Sequence, residues 1–341
     1  MTLTPRAPEG ALHLRTIESH TMGEPTRILY DGFPALHGAT MMEKKHDLIA
    51  RFDHLRTALL HEPRGHRDMF GALLTEPCDS RADLGVIFLD SGGCLNMCGH
   101  GSIGVCSMAV ETGLVPVREG ETTVTLDTPA GLIRAAVHVE NGHARAVSIR
   151  NVPAFLAQRD RTVTLPDGRR VTFDVSFGGS FFALVDADAL GLALTRENAA
   201  VLSALGMQLL RAINADGAPK HPLLDINSVD LVEFYSAHAG AGAHARSCVV
   251  FGDAQIDRCP CGTGTSAKLA ALHAHGQLGV NEPFVYESIS GSRFVGQIVG
   301  ETRVGDCPAV ETLITGSAWL TGLSDWIVMP DDPLKNGFLL G

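Results

Sequence analysis

An α+β fold in two domains is predicted, and three observations carry the prediction. The chain has 341 residues, about twice an ordinary domain of roughly 150. Apolar residues recur with a helical period in some segments and alternate as in strands in others. One Gly-rich pattern occurs twice, once in each half of the chain.

Composition narrows the class. Hydrophobic residues make up 45% and charged residues 19%, which is globular and excludes wholesale disorder. Lys and Arg total 27 against 38 Asp and Glu, a formal charge of −11. A chain this acidic repels phosphate backbones and anionic lipid heads, so neither nucleic acid nor membrane is an expected partner. The sequence shows no long apolar run and no basic-then-apolar leader, so a soluble, cytoplasmic protein is expected. Eight cysteines are far too few for a disulfide scaffold and fit a reducing compartment.

The elements follow in order. Leu48, Phe52, Leu55 and Leu59 form one stripe of a helix over residues 41–60. The polar run 62–68 reads as a surface turn. Residues 122–128 alternate as a strand. A hairpin spans 134–150, its apolar runs 136–139 and 146–149 flanking Asn141-Gly142, a pair that tolerates positive φ. A second hairpin turns at Asp167-Gly168 between 163–165 and 171–173. A helix over about 196–213 places Leu202, Leu205, Leu209 and Ile213 on one face. Cys248, in an apolar run, reads as an inert core thiol. The first half ends near Asn151.

The repeat carries the chemistry. Residues 98–113 read CGHGSIGVCSMAVETG and residues 261–276 read CGTGTSAKLAALHAHG. Cys98 and Cys261 are each followed by Gly at +1 (Gly99, Gly262), Gly at +3 (Gly101, Gly264), a hydroxyl at +4 (Ser102, Thr265) and Gly at +15 (Gly113, Gly276). This predicts a helix that starts in a Gly-rich turn and is ended about four turns later by a C-cap Gly. A helix N-terminus presents unpaired N–H groups and about half a positive charge. A thiol there is expected to ionise more easily, its pKa falling toward or below neutrality. The bare N–H groups can also hold a carboxylate. Two such units supply two thiols, which is what inversion of a stereocentre needs: one sulfur takes the Cα proton from one face, the other returns a proton to the opposite face. His100 could orient substrate or tune Cys98, and Asp257 could pair with a substrate ammonium.

Two rivals fit less well. Gly99, Gly101 and Gly104, and again Gly262, Gly264 and Ala267, satisfy a dinucleotide fingerprint, but neither follows good strand material, so an NAD-dependent oxidoreductase lacks its context. Cys94, Cys98, His100, Cys259 and Cys261 could feed a zinc-binding scaffold, but no C-x-x-C spacing is present. Neither cofactor nor metal is therefore expected.

Residues 97–104 and 257–265 together resemble the two signature motifs of the proline racemase family. Residues 19–27, Glu62-Pro63-Arg64-Gly65-His66, Phe177-Gly178-Gly179 and Asp331-Asp332-Pro333-Leu334 resemble further stretches of it, so the likeness runs through nearly the whole chain. It implies a cofactor-free racemase or epimerase acting at Cα of proline or 4-hydroxyproline, with a homodimer a compatible assembly. It implies two similar α+β domains of the diaminopimelate epimerase type around a cleft, each a curved sheet about one long helix. The first would be 1–150, with 325–341 returning to it, and the second 151–324. Cys98 and Cys261 match the catalytic thiols. Gly99, His100, Gly262 and Thr263 match the carboxylate contacts, and Asp257 matches a residue near the substrate nitrogen. The family commonly has Ser at Cys259, which reads as a spectator. Its dehydratases, acting on trans-3-hydroxy-L-proline, often replace one catalytic Cys by Ser or Thr. Two cysteines here favour racemisation or epimerisation and leave dehydration open as an alternative or second activity.

Overall fold

The computed structural model describes residues 8–340. Their contacts divide into two compact units. The first comprises residues 8–21, 25–147 and 317–340; the second comprises 22–24 and 148–316.

In the first unit β1 (Leu12–Thr21) and β2 (Glu24–Asp31) flank Met22 and Gly23, both at positive φ. Helix α1 (Met41–Leu60) follows. Thr40 caps it by accepting from the Glu43 N–H at 3.1 Å, and the Glu43 carboxylate accepts from the Ala39 N–H at 2.6 Å, a reciprocal start signal. Leu48, Leu55 and Leu59 are buried as the stripe predicts, whereas Phe52 is only half-buried. Strand β3 (Phe70–Thr75) runs parallel to β2, and β4 (Leu84–Asp90) antiparallel to β3. A two-residue strand, β5 (Cys94–Leu95), leads to helix α2 (Gly99–Glu111). Then β6 (Gly120–Thr128) pairs parallel with β4, and β7 (Gly131–Glu140) antiparallel with β6. The turn to β8 (His143–Arg150) places Asn141 and Gly142 at φ of 54° and 76°, as a tight hairpin turn requires.

In the second unit β9 (Phe155–Thr164) and β10 (Arg170–Phe177) form the hairpin read around Asp167-Gly168. Next come β11 (Phe181–Asp186), helix α3 (Ala199–Gly217) and β12 (Val229–Ser236), parallel to β11. Strand β13 (Ala245–Phe251) is antiparallel to β12, and a short β14 (Gln255–Ile256) leads to helix α4 (Gly262–Ala274). Then β15 (Pro283–Ser288) runs parallel to β13, with β16 (Arg293–Val304) and β17 (Cys307–Gly316) antiparallel beyond it. The last strand, β18 (Ala318–Val328), belongs to the first unit and pairs with β1 from Leu12↔Val328 to Thr21↔Ala318. The return thus starts at residue 317 rather than 325, because this ladder engages β18 along its whole length.

The two units share one topology. Parallel strands cannot be joined by a tight turn and need a crossover. In each unit one helix, α1 or α3, joins the first parallel pair, and the cysteine-led helix joins the second. Helix α2 buries every residue from Gly99 to Val110, as an all-round apolar helix must, while α3 buries the predicted face of Leu202, Leu205, Leu209 and Ile213. The run 62–68 is more than a surface turn. Arg64 is largely buried, donates to the Ile327 and Lys335 carbonyls and pairs with Asp332 at 3.5 Å, fastening the C-terminal segment. No helix among the described residues is long and apolar enough to cross a membrane.

Candidate active site

Both cysteine-led helices begin with a thiol cap, Cys98 in extended backbone at φ −144° and Cys261 at a positive φ of 63°. Cys98 is the N-cap of α2, and its Sγ accepts from the Gly101 N–H at 3.4 Å. Cys261 is the N-cap of α4, and its Sγ accepts from the Gly264 N–H at 3.4 Å. The hydroxyl at +4 has a defined task in each copy. Ser102 Oγ donates to the Cys98 carbonyl and Thr265 Oγ1 to the Cys261 carbonyl, both at 2.7 Å. The closing glycines, Gly113 and Gly276, sit at φ of 72° and 70°. There the Leu114 N–H reaches the Ala109 carbonyl and the Gln277 N–H the Leu272 carbonyl, the six-to-one bond that ends a helix in this way. The predicted turns, cysteines and caps are thus all present.

Around Cys98 the structure gathers Gly99 and His100. His100 Nδ1 lies 3.4 Å from Cys98 Sγ. Its ring stands edge-on to Phe70, with centroids 4.6 Å apart, and its carbonyl accepts from Thr21 Oγ1 at 2.9 Å. Around Cys261 it gathers Gly262, Thr263 and Asp257. Thr263 Oγ1 is 3.5 Å from Cys261 Sγ. Asp257 Oδ1 accepts from the Cys259 N–H at 2.9 Å, and Cys259 Sγ accepts from the Cys261 N–H at 3.4 Å. Cys259 is therefore part of the turn that holds Cys261, not a loose neighbour. The Phe177-Gly178-Gly179 stretch lies against Thr263, with Gly178 against its carbonyl; any Cβ at Gly178 would overlap that backbone.

Sequence reasoning missed two buried carboxyls. Glu24 is fully buried, and its Oε2 accepts from the Arg258 N–H at 2.6 Å. Burial, with the Asp257 carboxylate beside it, pushes Glu24 well above the usual carboxylate range. Glu233, also fully buried, accepts from the Tyr286 hydroxyl at 2.7 Å. Glu24 falls within the family-like stretch 19–27 and Glu233 within an ordinary strand, but neither stretch marks a buried carboxyl, and only the fold gives them neighbours.

The electrostatics correct one expectation. Burial, reinforced by the Asp257 carboxylate, pushes the Cys261 thiol well above its usual range, against the opposing pull of the Thr263 hydroxyl and the Gly264 N–H. Desolvation of the charged form outweighs the helix terminus at this position. Cys248 behaves as an inert core thiol, burial lifting it to about 12.

Two units of one topology, each a sheet with a buried helix capped by a cysteine, define an α+β protein of the diaminopimelate epimerase type. The chain belongs to the proline racemase family: the family model of that description matches residues 16–339. A proline racemase of Clostridioides difficile is 52% identical over 328 residues, covering 96% of this chain and 98% of that one. A 4-hydroxyproline 2-epimerase of Streptosporangium roseum is 46% identical, covering 95% and 97%. The crystal structure of a hydroxyproline epimerase from Agrobacterium vitis with bound trans-4-hydroxy-L-proline superposes with a TM-score of 0.85 at 34% identity, covering 96% of each chain.

Proposed function

We propose that the protein is a cofactor-independent racemase or epimerase that inverts Cα of a proline-type imino acid, proline or 4-hydroxyproline, using Cys98 and Cys261 as its two bases. The observation that carries this reading is the pair of cysteine N-caps, each setting a thiol beside helix N–H groups. The names of the relatives and the ligand in the Agrobacterium vitis enzyme supply the substrate class.

In this mechanism one sulfur starts as thiolate and the other as thiol. The thiolate takes the Cα proton, the pair of electrons left on Cα delocalises into the carboxylate, and the thiol on the opposite face delivers its own proton. The N–H groups at Gly99, His100, Gly262 and Thr263 hold the carboxylate and stabilise the charge that develops there. Asp257 accepts from the ring nitrogen. Burial holds Cys261 as the thiol, which suits it to the donor half of the reaction in the resting enzyme. His100, against Cys98 Sγ, is the residue that steadies the other sulfur. All eight cysteines are free, and a reducing cytoplasm would keep the two bases so.

Incubation in D₂O with L-proline, trans-4-hydroxy-L-proline and trans-3-hydroxy-L-proline separately, read by proton NMR, tests the assignment. Exchange at Cα with appearance of the inverted isomer is expected for one of the first two. Conjugated, ultraviolet-absorbing product from the third would instead identify a dehydratase. Exchange with none refutes the substrate class. Cys98→Ser and Cys261→Ser should each lower inversion by several orders of magnitude, because an alkoxide is far harder to form than a thiolate. Near wild-type inversion by either variant refutes the two-base mechanism.

A further inference from the structure

The two helix N-termini share a thiol cap but not what stands behind it. In the first unit a Cβ at Gly101 would meet two Phe88 ring carbons, at 2.8 and 2.9 Å. In the second a Cβ at Gly264 would run into Glu233 Oε2, with the Phe182 ring and Cys261 Cβ each 3.2 Å away. Hydrocarbon backs the first turn of α2; a carboxyl as well as an aromatic ring backs that of α4. Glu233 Oε2 and Cys261 Cβ border the same small space, which exists because residue 264 has no side chain.

Glu233 lies mid-strand in β12 and is fully buried. Such a group is costly to desolvate and persists only with partners or a use. Its Oε1 accepts from Tyr286 of β15, whereas its Oε2 has no hydrogen-bond partner. The charged and titratable groups facing it are Tyr286 from β15, Lys268 one turn further along α4, and Asp257 from the loop before the helix. Tyr235 of the same strand lies under the Lys268 ammonium, 3.0 Å from its ring centroid. Burial lifts Glu233 to about 7, and its negative form opposes ionisation of Cys261.

We propose that Glu233 is a positioning residue for Cys261, whose carboxyl, from behind the first turn of α4, sets how readily that thiol gives up its proton. The proposal rests on the reading of Cys261 as a base. Ionised Glu233, acting in the same direction as the Asp257 carboxylate, holds Cys261 as the acid. At an effective dielectric of about 20, a unit charge a side-chain length away moves a neighbouring pKa by about one to two units.

Glu233→Gln keeps the shape and the acceptor for Tyr286 and removes the charge. The intact protein is alkylated with iodoacetamide across pH, and modification is read by mass spectrometry with Cys98, Cys259 and Cys261 resolved by fragmentation. In E233Q the alkylation midpoint of Cys261 should fall by about one unit, with the Cys98 midpoint unchanged. Tyr286→Phe removes the donor that favours ionised Glu233 and should move the Cys261 midpoint the same way by less. An unmoved Cys261 midpoint in folded E233Q, or an equal shift at Cys98, overturns the proposal; if E233Q does not fold, an unmoved midpoint in Y286F does so. The readout uses no substrate, so it stands apart from the two-base reading, which inversion by Cys261→Ser decides separately.

Discussion

Replacing Gly101 by Ala tests how tightly the first turn of α2 holds its thiol. Ala favours a helix over Gly by about 1 kcal/mol. The added methyl, however, would stand 2.8 and 2.9 Å from two Phe88 ring carbons and 3.1 Å from Cys98 Sγ, where ordinary contact is about 3.5–4.0 Å. Phe88 is 1% exposed and hemmed in, so the ring or the turn must give by up to about 1 Å, at an overpacking cost of about 1–3 kcal/mol. The two effects leave a net destabilisation of about 0–2 kcal/mol. Catalysis should suffer far more. A misplacement of about 1 Å at a reacting group costs about a hundredfold in rate, and both Cys98 Sγ and the N–H that steadies it lie in the displaced turn. Gly113→Ala is the control. Its φ of +72° strains any side chain, but nothing lies within 4 Å of the added atom, so it should lose about 1–2 kcal/mol and keep its rate. Urea unfolding gives the stabilities, and polarimetry with the preferred imino acid gives the rates. A Gly101→Ala protein as active as wild type, or a Gly113→Ala protein equally impaired, would refute the reasoning.

Three further outcomes are expected. Glu24 has its carboxyl pushed above the ordinary 4.5, so the stability tied to its neutral form is complete below that value and is lost as pH rises toward the folded-state pKa. Glu24→Gln cannot ionise and should gain on wild type as pH rises above 4.5 in urea unfolding; a difference that does not change with pH contradicts the assignment. Pyrrole-2-carboxylate, planar like the carbanion, should bind more tightly than L-proline in calorimetry, and weaker binding would argue against a flattened transition state. Leu209→Ala, at a fully buried position in the second unit's core, should cost about 2–5 kcal/mol with little effect on the rate of the folded fraction, which denaturation and kinetics measured together will show.

The sequence by itself determined the helices and the residues that start and end them. The stripe from Leu48 to Leu59 and the face from Leu202 to Ile213 mark amphipathic helices, because one side of each meets a core and the other meets water. Asn141-Gly142 marks a turn because few other pairs tolerate two positive φ values. The twin cysteine-glycine starts were legible because a helix N-terminus with a thiol cap and close packing at +3 leaves little choice of residue. Tertiary structure alone decided the rest. The buried strands Phe70–Thr75 and Leu84–Asp90 are short apolar runs without alternation, since both faces are covered, and periodicity cannot assign them. The shared topology of the two units left no trace beyond the cysteine motifs, because a strand asks only for apolar residues of suitable size. Pairing of β18 with β1, across some 300 residues of chain, moved the return point to residue 317. The state of Cys261 was decided there too. A helix N-terminus lowers a thiol pKa in any sequence that forms one, but burial and the carboxyls of Asp257 and Glu233, brought up by a loop and a neighbouring strand, reverse the balance.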